Sequence, residues 1–202
     1  MKIVIATRNK NKFTELIEIL KDIDCQFVFA GDYPELPEIE EDADTLLDNA
    51  SKKALETAKI LNLPTIADDT GFFVRGLNDE PGVKAARYAG ENCSYDDNVN
   101  KLLNELNACD DRYAVFKTIA ILAHPDKGII DYAIGEMSGN IIETKRGSNG
   151  FGYDPVFIPT GYDKTYAEMN EQVKNKISHR AKAFELLKPI LTKFIEEENQ
   201  ND

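Results

Sequence analysis

The sequence predicts a single α/β domain with a mixed sheet, and two observations lead to this fold class. Short β-branched runs alternate with amphipathic helical segments through the first half of the chain. A long β-hairpin then follows between helical segments in the second half. An α/β order with an inserted hairpin favours a mixed sheet, and we expect the hairpin to divide the domain into two lobes.

The first half reads as strand, loop, helix, strand, loop, helix and strand. The opening KIVIA predicts a strand, TRNKN a turn, and FTELIEILKDI a helix, because its apolar residues recur at helical spacing. Residues 25–29 predict a second strand, residues 31–43 an acidic loop, and residues 44–61 a helix. The run PTIADDTGFFV predicts a strand that an Asp-Asp-Thr-Gly turn interrupts.

The second half begins with a loop at 76–92 and a helix at 94–108. The runs RYAVFKTIAILA and IIDYAIGEMSGNII flank the turn HPDKG and predict a hairpin. A glycine-rich loop spans 145–161, and Thr165 with Glu168 matches a capping box. A last helix is predicted at about 175–195, so the domain is expected to span residues 1–195, with residues 196–202 a disordered acidic tail.

The charge of the chain argues against long nucleic acids as partners. Its 202 residues include 42% hydrophobic and 30% charged residues and carry a formal net charge of -12. Binding to a phosphodiester backbone depends on Lys and Arg that replace counterions, and an acidic surface repels that backbone. A small polyanion can still bind where a few cations are concentrated.

Other features of composition indicate a cytoplasmic protein. No run of eighteen apolar residues occurs, and the polar N-terminus lacks a signal-peptide core, so neither membrane insertion nor secretion is expected. The three cysteines, Cys25, Cys93 and Cys109, are an odd number without a CxxC pair. We interpret them as reduced thiols.

The first candidate site is the junction between the first strand and the first helix. Amide groups at a helix start bind anions, and a lysine there adds a full positive charge. An ordinary helix cap at Asn9 with a solvated Lys12 explains the same residues, and the glycines of a Walker loop are missing. The segment comprises Thr7, Arg8, Asn9, Lys10, Asn11 and Lys12.

The second candidate is a set of acids with lysines near it. Mg²⁺ prefers a few hard oxygen ligands, so the adjacent Asp68 and Asp69 could act with an acid of the loop Glu38–Asp42. A solvated acidic loop and a plain turn are the alternatives. One of Lys52 and Lys53 is expected to project toward this loop, although both lysines could also face solvent.

The third candidate is the run GSNGFGYDPVF, residues 147–157, with the later segment KNKISHR. Its glycines allow close backbone approach to a flat ligand, Phe151 offers a stacking face, and Asp154 offers an acceptor. His179 and Arg180 can donate hydrogen bonds to a keto oxygen. A tight aromatic turn and a helix cap at Ser178 are the structural alternatives.

Together these segments resemble the inosine/xanthosine triphosphate pyrophosphatase family, which is Ham1-like and acts on non-standard purine nucleotides. Six motifs occur in the family's order over about residues 3–187: ATRNKNK, EED..TLLDNASKKA, PTIADDTG, PGVKAARYAG, GFGYDP and KNKISHRAKA. The resemblance implies an elongated mixed sheet flanked by helices, two lobes with a central substrate cleft, and a homodimer. The loop 76–92 is a candidate dimer interface.

The resemblance also implies roles for individual residues. Asp69 matches the acid that serves as proton acceptor and metal ligand, and Glu40 matches a second ligand of Mg²⁺, although the adjacent Glu41 could take its place. Thr70 stands where many bacterial members have Ser and retains the hydroxyl. Substrate binding is implied for Thr7, Arg8, Asn9, Lys10, Asn11, Lys12, Lys53, Thr70, Phe151, Gly152, Tyr153, Asp154, Lys174, His179 and Arg180.

The implied reaction is Mg²⁺-dependent hydrolysis of ITP, dITP and XTP to the monophosphate and pyrophosphate, which clears these nucleotides before they enter DNA and RNA. Two alternatives are an enzyme of related activity and a protein of another class. A Maf-like pyrophosphatase would act on pyrimidine or modified nucleotides, and a non-catalytic nucleotide-binding protein would retain the pocket without turnover. The ATRNKNK start disfavours the former. Joint retention of four residues disfavours the latter: Glu40, Asp68, Asp69 and Lys53.

Overall fold

The computed structural model describes residues 1–201 and confirms the predicted α/β class. The described elements are, in chain order, β1 (Lys2–Ile5), α1 (Lys10–Ile19), β2 (Gln26–Phe29), α2 (Leu46–Leu61), β3 (Thr65–Val74), β4 (Pro81–Gly82), α3 (Tyr95–Glu105), β5 (Tyr113–His124), β6 (Gly128–Ile141), β7 (Phe157–Pro159), α4 (Glu171–Ile177) and α5 (His179–Asn201).

The strands form one sheet of mixed direction, as the sequence predicts. Their order is β2-β1-β3-β5-β6-β7, and β4 pairs with β3 outside this path. β1 runs parallel to both β2 and β3, whereas β3 with β4 and β6 with β7 are antiparallel. Parallel pairing of β1 with its neighbours follows from the helices that connect them.

The chain divides into two compact units. The first consists of Met1–Asp69, Thr118–Gly135 and the chain from Arg180 onward, and the second of Thr70–Lys117 and Glu136–His179. Each unit has its own apolar core. Because the boundaries fall within β3, β5 and β6, each of these strands contributes residues to both units.

In the first unit, side chains that alternate along the strands pack against different helices on the two faces of the sheet. Ile3 and Ile5 of β1 and Ile66 of β3 pack with apolar residues of α1 and α5. Val4 belongs to a different cluster, which includes Leu61 at the end of α2. Successive strand side chains point to opposite faces, so one face of the sheet meets α1 and α5 and the other meets α2.

Aromatic rings dominate the core of the second unit. Phe72 stacks on Phe116 with 4.2 Å between ring centroids and on Tyr153 with 4.8 Å. Phe157 meets Phe116 edge to face at 4.8 Å, and Tyr166 is fully buried beside it. Offset and edge-to-face pairs of this kind stabilise a core beyond their area burial.

Polar side chains cap the helices where the sequence places them. Thr45 accepts the amide hydrogen of Asp48 at the start of α2, and Asn62 ends that helix in the left-handed conformation. Ser94 and Asp97 form a capping box at α3. The box predicted at Thr165 and Glu168 is confirmed, although it begins a short 3-10 helix.

Two predicted elements differ in the structure. The Asp-Asp-Thr-Gly segment does not form a turn, because β3 continues without a break from Thr65 to Val74. The predicted helix at 175–195 is two helices, α4 and α5, which Ser178 separates in an extended conformation. Serine competes with helical geometry through local hydrogen bonds, which accounts for the break.

The acidic segment after residue 195 is helical as far as it is described. α5 reaches Asn201, whereas the sequence predicts disorder for 196–202, and Asp202 lies outside the described residues. Glu198 contacts Lys127 of the β5–β6 turn, and Glu197 lies 3.7 Å from Lys193 one turn earlier. These pairs account for the helical ending. Among residues 1–201, no helix combines the length and apolar character needed to cross a bilayer.

Candidate active site

Asp68 lies on the face of β3 that meets α1 and α5, and it is held by three cations. Its Oδ2 atom accepts a hydrogen bond from Arg180 Nε at 3.1 Å and lies 3.5 Å from Lys12 Nζ. Arg180 also donates from Nη1 to Glu15 at 2.9 Å. Burial alone would raise the pKa of Asp68, but the charges of Lys12, Arg180 and Lys53 hold it well below its usual range. Asp68 is therefore a fixed carboxylate.

Asp69 follows directly and points to the opposite face of β3, where α2 lies. Its Oδ2 accepts a hydrogen bond from Asn49 Nδ2 at 3.2 Å, and the residue is 7% exposed. Burial and the nearby charge of Glu41 raise the pKa of Asp69, against the opposing effects of Lys53, Lys12 and Asn49. Two adjacent aspartates thus have pKa values shifted in opposite directions.

The acidic loop reaches this region through Glu41. Lys53 of α2 donates a hydrogen bond to Glu41, while Lys52 donates to Asp42 at 2.7 Å in a more exposed position. Burial would lower the pKa of Lys53, but the charges of Glu41, Asp68 and Asp69 outweigh burial and raise it. Lys53 is thus the lysine directed at the aspartates.

Glu40 and Glu41 differ in their surroundings. Glu41 is partly buried and its charge acts on Asp69, whereas Glu40 is exposed. The role of Glu40 as a metal ligand remains a prediction. Glu41 is the loop acid whose charge raises the pKa of Asp69. The sequence left these two neighbours interchangeable.

The segment from Thr7 to Lys12 forms the start of α1. Asn9 is the N-cap, and its Oδ1 accepts the amide hydrogens of Asn11 and Lys12 at 2.9 and 3.3 Å. The alternative of a helix cap is therefore realised, and two of the amides that we predicted for phosphate already have a partner. Arg8 donates to the carbonyl of Leu36 at the acidic loop. Lys12 is the cation of this segment that reaches Asp68.

Burial lowers the pKa of Lys12, and the charge of Asp68 opposes that effect. Lys12 and Lys53 are two partly buried ammonium groups whose charges act on one pair of aspartates. Such an arrangement concentrates positive charge within an acidic protein, as binding of a small polyanion requires.

A second group of predicted residues gathers within the second unit. Lys174 Nζ donates to Asp154 Oδ2 at 2.6 Å, and the backbone amide of Phe151 donates to the same oxygen at 2.8 Å. Lys174 Nζ also lies 4.9 Å from the centre of the Phe151 ring. The structure therefore brings Phe151, Asp154 and Lys174 together, and their role in binding a base stays a prediction.

Gly150 makes this cluster feasible. Its φ is +74°, and a Cβ atom built there would lie 2.0 Å from Asp154 Oδ2. A side chain at this position would displace the carboxylate that orients Lys174. The neighbouring Gly152 has φ +63° and open space around it.

His179 and Tyr153 take positions in the aromatic core. The His179 ring stacks on Phe116 with 4.4 Å between centroids, and it is 4% exposed. Tyr153 stacks on Phe72, and its hydroxyl donates to the carbonyl of Ala85 at 2.8 Å. The fold thus uses Tyr153 for packing, and its predicted contact with a base remains a prediction. Thr70 is partly exposed within β3.

Arg180 is not placed with these rings. Its guanidinium is bound to Asp68 and Glu15 within the first unit, and it is 2% exposed. Its predicted donation to a keto oxygen therefore stays a prediction, and its observed contacts are those of a residue that fixes Asp68.

The carboxylates present fit a magnesium ion. Oxygen donors are the ligands that Mg²⁺ prefers, and it commonly takes one or two carboxylates with waters and phosphates. Burial and then the charge of Glu41 raise the pKa of Asp69, and a bound cation would favour its charged form. Among residues 1–201, no cluster of three or more potential metal ligands is found.

Comparison with known proteins identifies the family of this chain. The model of the Ham1 family matches residues 3–190. This chain belongs to the Ham1 family. Two relatives named dITP/XTP pyrophosphatase are similar over most of their length. The one from Desulfotalea psychrophila is 44% identical over 96% of this chain and 88% of its own, and the one from Elusimicrobium minutum 49% over 92% and 96%.

Solved Ham1 structures share the fold of this Ham1 chain. The Ham1 protein of Staphylococcus aureus has a TM-score of 0.83 and 39% identity, and covers 98% of this chain and 100% of its own. A HAM1 protein of Coxiella burnetii has a TM-score of 0.86 and 38% identity, with 96% and 99% covered. The predicted family and the predicted fold are confirmed.

Two residues of this Ham1 site escaped the sequence analysis. Glu15 accepts from Arg180, and Asn49 donates to Asp69. Asn49 lies within the segment LLDNASKKA, on which the resemblance partly rests. In this segment only the lysines were considered as site residues. Glu15 is a buried acid beside Leu16 on the apolar face of α1, and a charge at such a position signals a buried partner.

Proposed function

We propose that this Ham1 protein hydrolyses the non-standard purine nucleoside triphosphates ITP, dITP and XTP to the monophosphate and pyrophosphate. The observation that carries the proposal is the opposed electrostatics of Asp68 and Asp69. Pairs of acids whose surroundings separate their pKa values are typical of acid–base chemistry. The relatives named dITP/XTP pyrophosphatase support the same reaction. Such an activity would remove these nucleotides before their incorporation into DNA and RNA.

Asp69 is the proton acceptor in this proposal. A water molecule attacks phosphorus, its proton passes to a carboxylate oxygen of Asp69, and the bond between the α and β phosphates breaks. Asp68 is already engaged by Arg180 and Lys12, so its role is to hold those cations in place. Its lowered pKa makes it a weak base, which favours Asp69 as the acceptor.

Magnesium is proposed as the cofactor, with Asp69 and an acid of the loop as its ligands. When bound, it would neutralise phosphate charge and polarise the reacting phosphoryl group. Lys12 and Lys53 would neutralise further phosphate charge, because both are partly buried cations whose charges act on the aspartates. Charge stabilisation of this type is usually the largest catalytic effect in phosphoryl transfer.

The residues for base selection are proposed from the second unit. Phe151 offers a ring face, and Lys174 and His179 can donate hydrogen bonds to a 6-keto oxygen. Adenine carries an amino group at that position, so each donor left unpaired would cost about 1–3 kcal/mol. The chemistry therefore favours keto purines over adenine.

Release of pyrophosphate from ITP, XTP, GTP, ATP and dTTP, each with Mg²⁺ or with EDTA, tests the proposal. We expect rapid turnover of ITP and XTP that EDTA abolishes, and slow turnover of the standard nucleotides. Preference for dTTP would indicate Maf-like specificity instead. Absence of any turnover would indicate a nucleotide-binding protein.

The loop acids can be ranked with a matched pair of variants. Glu41→Gln is expected to raise the Mg²⁺ concentration for half-maximal activity by about tenfold or more, because Glu41 acts on Asp69. Glu40→Gln is expected to change it less, because Glu40 is exposed. Magnesium titrations at fixed ITP measure both. The reverse ranking would return the ligand role to Glu40.

We also propose a cytoplasmic location and a homodimer. The loop 76–92 is the candidate interface, and its apolar residue Val83 is partly exposed. Light scattering coupled to size-exclusion chromatography gives the mass directly, against a chain mass of 22.7 kDa.

A further inference from the structure

Asn49 is almost completely buried, and its side chain joins the acidic loop to Asp69. It is the fourth residue of α2 and is 1% exposed. Its Oδ1 accepts the amide hydrogen of Ala43 at 2.9 Å, and its Nδ2 donates to the carbonyl of Ala43 at 3.4 Å. The same Nδ2 donates to Asp69 Oδ2 at 3.2 Å.

Only a carboxamide satisfies this set of partners. Its oxygen accepts while its nitrogen carries two hydrogens, which matches one backbone amide and two acceptor oxygens. An aspartate would set two carboxylates against each other at Asp69, and an apolar residue would leave the Ala43 amide unbonded. The chemistry of the site therefore accounts for Asn at this position.

The two partners of Asn49 belong to segments that are far apart in the chain. Ala43 is two residues after Glu41 in the acidic loop, and Asp69 lies in β3, twenty residues after Asn49. The loop has little regular structure of its own, so its position relative to β3 depends on such side-chain bonds. Lys53 supplies a second link from the same helix to Glu41.

From this geometry we propose that Asn49 is a positioning residue that holds Asp69 and the Glu41-bearing loop at the separation that a divalent cation requires. The inference rests on the proposed function and extends it to a residue that contacts neither substrate nor metal. Residues that orient metal ligands typically alter metal affinity or activity by about 10–100-fold when replaced.

A matched control exists in the second unit. Asn98 is 2% exposed, its Oδ1 accepts the amide hydrogen of Ala89 at 2.7 Å, and its Nδ2 donates to the carbonyl of Ala86 at 3.0 Å. Asn98 thus anchors a loop as Asn49 does, but neither of these two hydrogen bonds is to Asp68 or Asp69. Asn49→Ala and Asn98→Ala remove the same group from equally buried positions.

The experiment measures metal binding separately from turnover. Mn²⁺ is titrated into the full-length wild type, Asn49→Ala and Asn98→Ala, and free Mn²⁺ is followed by electron paramagnetic resonance. Mg²⁺ titrations of ITP hydrolysis give the half-saturating metal concentration and the split between kcat and KM. Thermal unfolding of each protein records the cost to the fold.

For Asn49→Ala we expect the Mn²⁺ dissociation constant and the half-saturating Mg²⁺ concentration to rise about tenfold or more, with a lower kcat. For Asn98→Ala we expect both metal readouts to stay within about twofold, even where its melting temperature falls. Equal metal readouts in the two variants would overturn the inference, because they would show a general effect of lost loop anchoring.

Asn49→Ser covers the case in which Asn49→Ala does not fold. Its hydroxyl keeps the site polar but is too short to reach Ala43 and Asp69 together, so the same metal shift is expected. Unchanged Mn²⁺ binding in this variant would overturn the inference while the proposed function stands. A wild type that binds no Mn²⁺ and needs no Mg²⁺ would overturn both, and that result appears in the wild-type titration alone.

Discussion

Asp69→Asn is expected to lower turnover of ITP by about 10²–10⁴-fold, because the substitution removes the proposed proton acceptor and a proposed metal ligand. The amide has nearly the same shape, and Asn49 can still donate to its oxygen at the observed position. Steady-state kinetics at saturating Mg²⁺ measure the loss. Activity near that of the wild type would contradict the role of Asp69.

Asp69→Asn should be at least as stable as the wild type at neutral pH. Folding raises the pKa of Asp69, through burial and the charge of Glu41, so ionising it costs stability as the pH rises through the folded-state value. Asparagine does not ionise and avoids that cost. We expect its free energy of unfolding to equal or exceed that of the wild type at pH 7–8, and the difference to shrink toward pH 4.

Asp68→Asn is the control, since its pKa shift has the opposite sign. Burial opposes ionisation of Asp68, but the charges of Lys12, Arg180 and Lys53 lower its pKa in the folded protein. A lowered pKa stabilises the fold above the unfolded value of about 3.9, and that contribution is lost as the pH falls. Asp68→Asn should therefore be destabilised at pH 7, and less so below pH 4. Urea denaturation at both values distinguishes the two aspartates.

Arg180→Met should produce the largest loss of stability. Arg180 is 2% exposed and joins Asp68 to Glu15, so its removal leaves two buried carboxylates without their guanidinium. Breaking a buried pair by deleting one partner costs about 3–5 kcal/mol, because the remaining charge stays desolvated. Urea denaturation at pH 7 measures this loss as a lower free energy of unfolding.

The loss of stability in Arg180→Met should depend on the pH and on the burial of the replaced arginine. The lowered pKa of Asp68 stabilises the wild type above the unfolded value of about 3.9, and this contribution is lost as the pH falls, so the stability gap between variant and wild type should narrow below pH 4. Arg75→Met serves as a control, because Arg75 pairs with Asp111 at an exposed surface. Exposed ion pairs contribute little, so a small change is expected there. Similar losses in both variants would contradict the central position of Arg180.

Local sequence patterns predicted most of the fold. Apolar spacing located α1, and β-rich runs located β5 and β6, because these signals are contained in neighbouring residues. The prediction of a turn at Asp68–Gly71 was wrong, because the structure of this segment depends on residues far away in the chain. Two adjacent aspartates favour a turn unless distant partners bind them, and Arg180 lies 112 residues away.

The sequence motifs predicted which residues belong to the site, and the roles of those residues stay predictions. The motifs gathered Lys53, Asp69, Asp154 and Lys174, and the structure places them in two clusters. The pairing of Arg180 with Asp68 could not be predicted, because it depends on which face of β3 each aspartate occupies. Face assignment follows from strand alternation only once the strand is known to be continuous.

The division of the first unit into three chain segments has a consequence for how the protein is made. Ala181, Phe184, Leu187 and Leu191 of α5 complete the core around Ile3 and Ile5. A ribosome synthesises α5 after the other segments of this unit, so the nascent chain holds β1 and α1 without these partners until α5 has been made. Contacts of such sequence separation form slowly. The region that contains both aspartates therefore completes its core only after α5 has been synthesised.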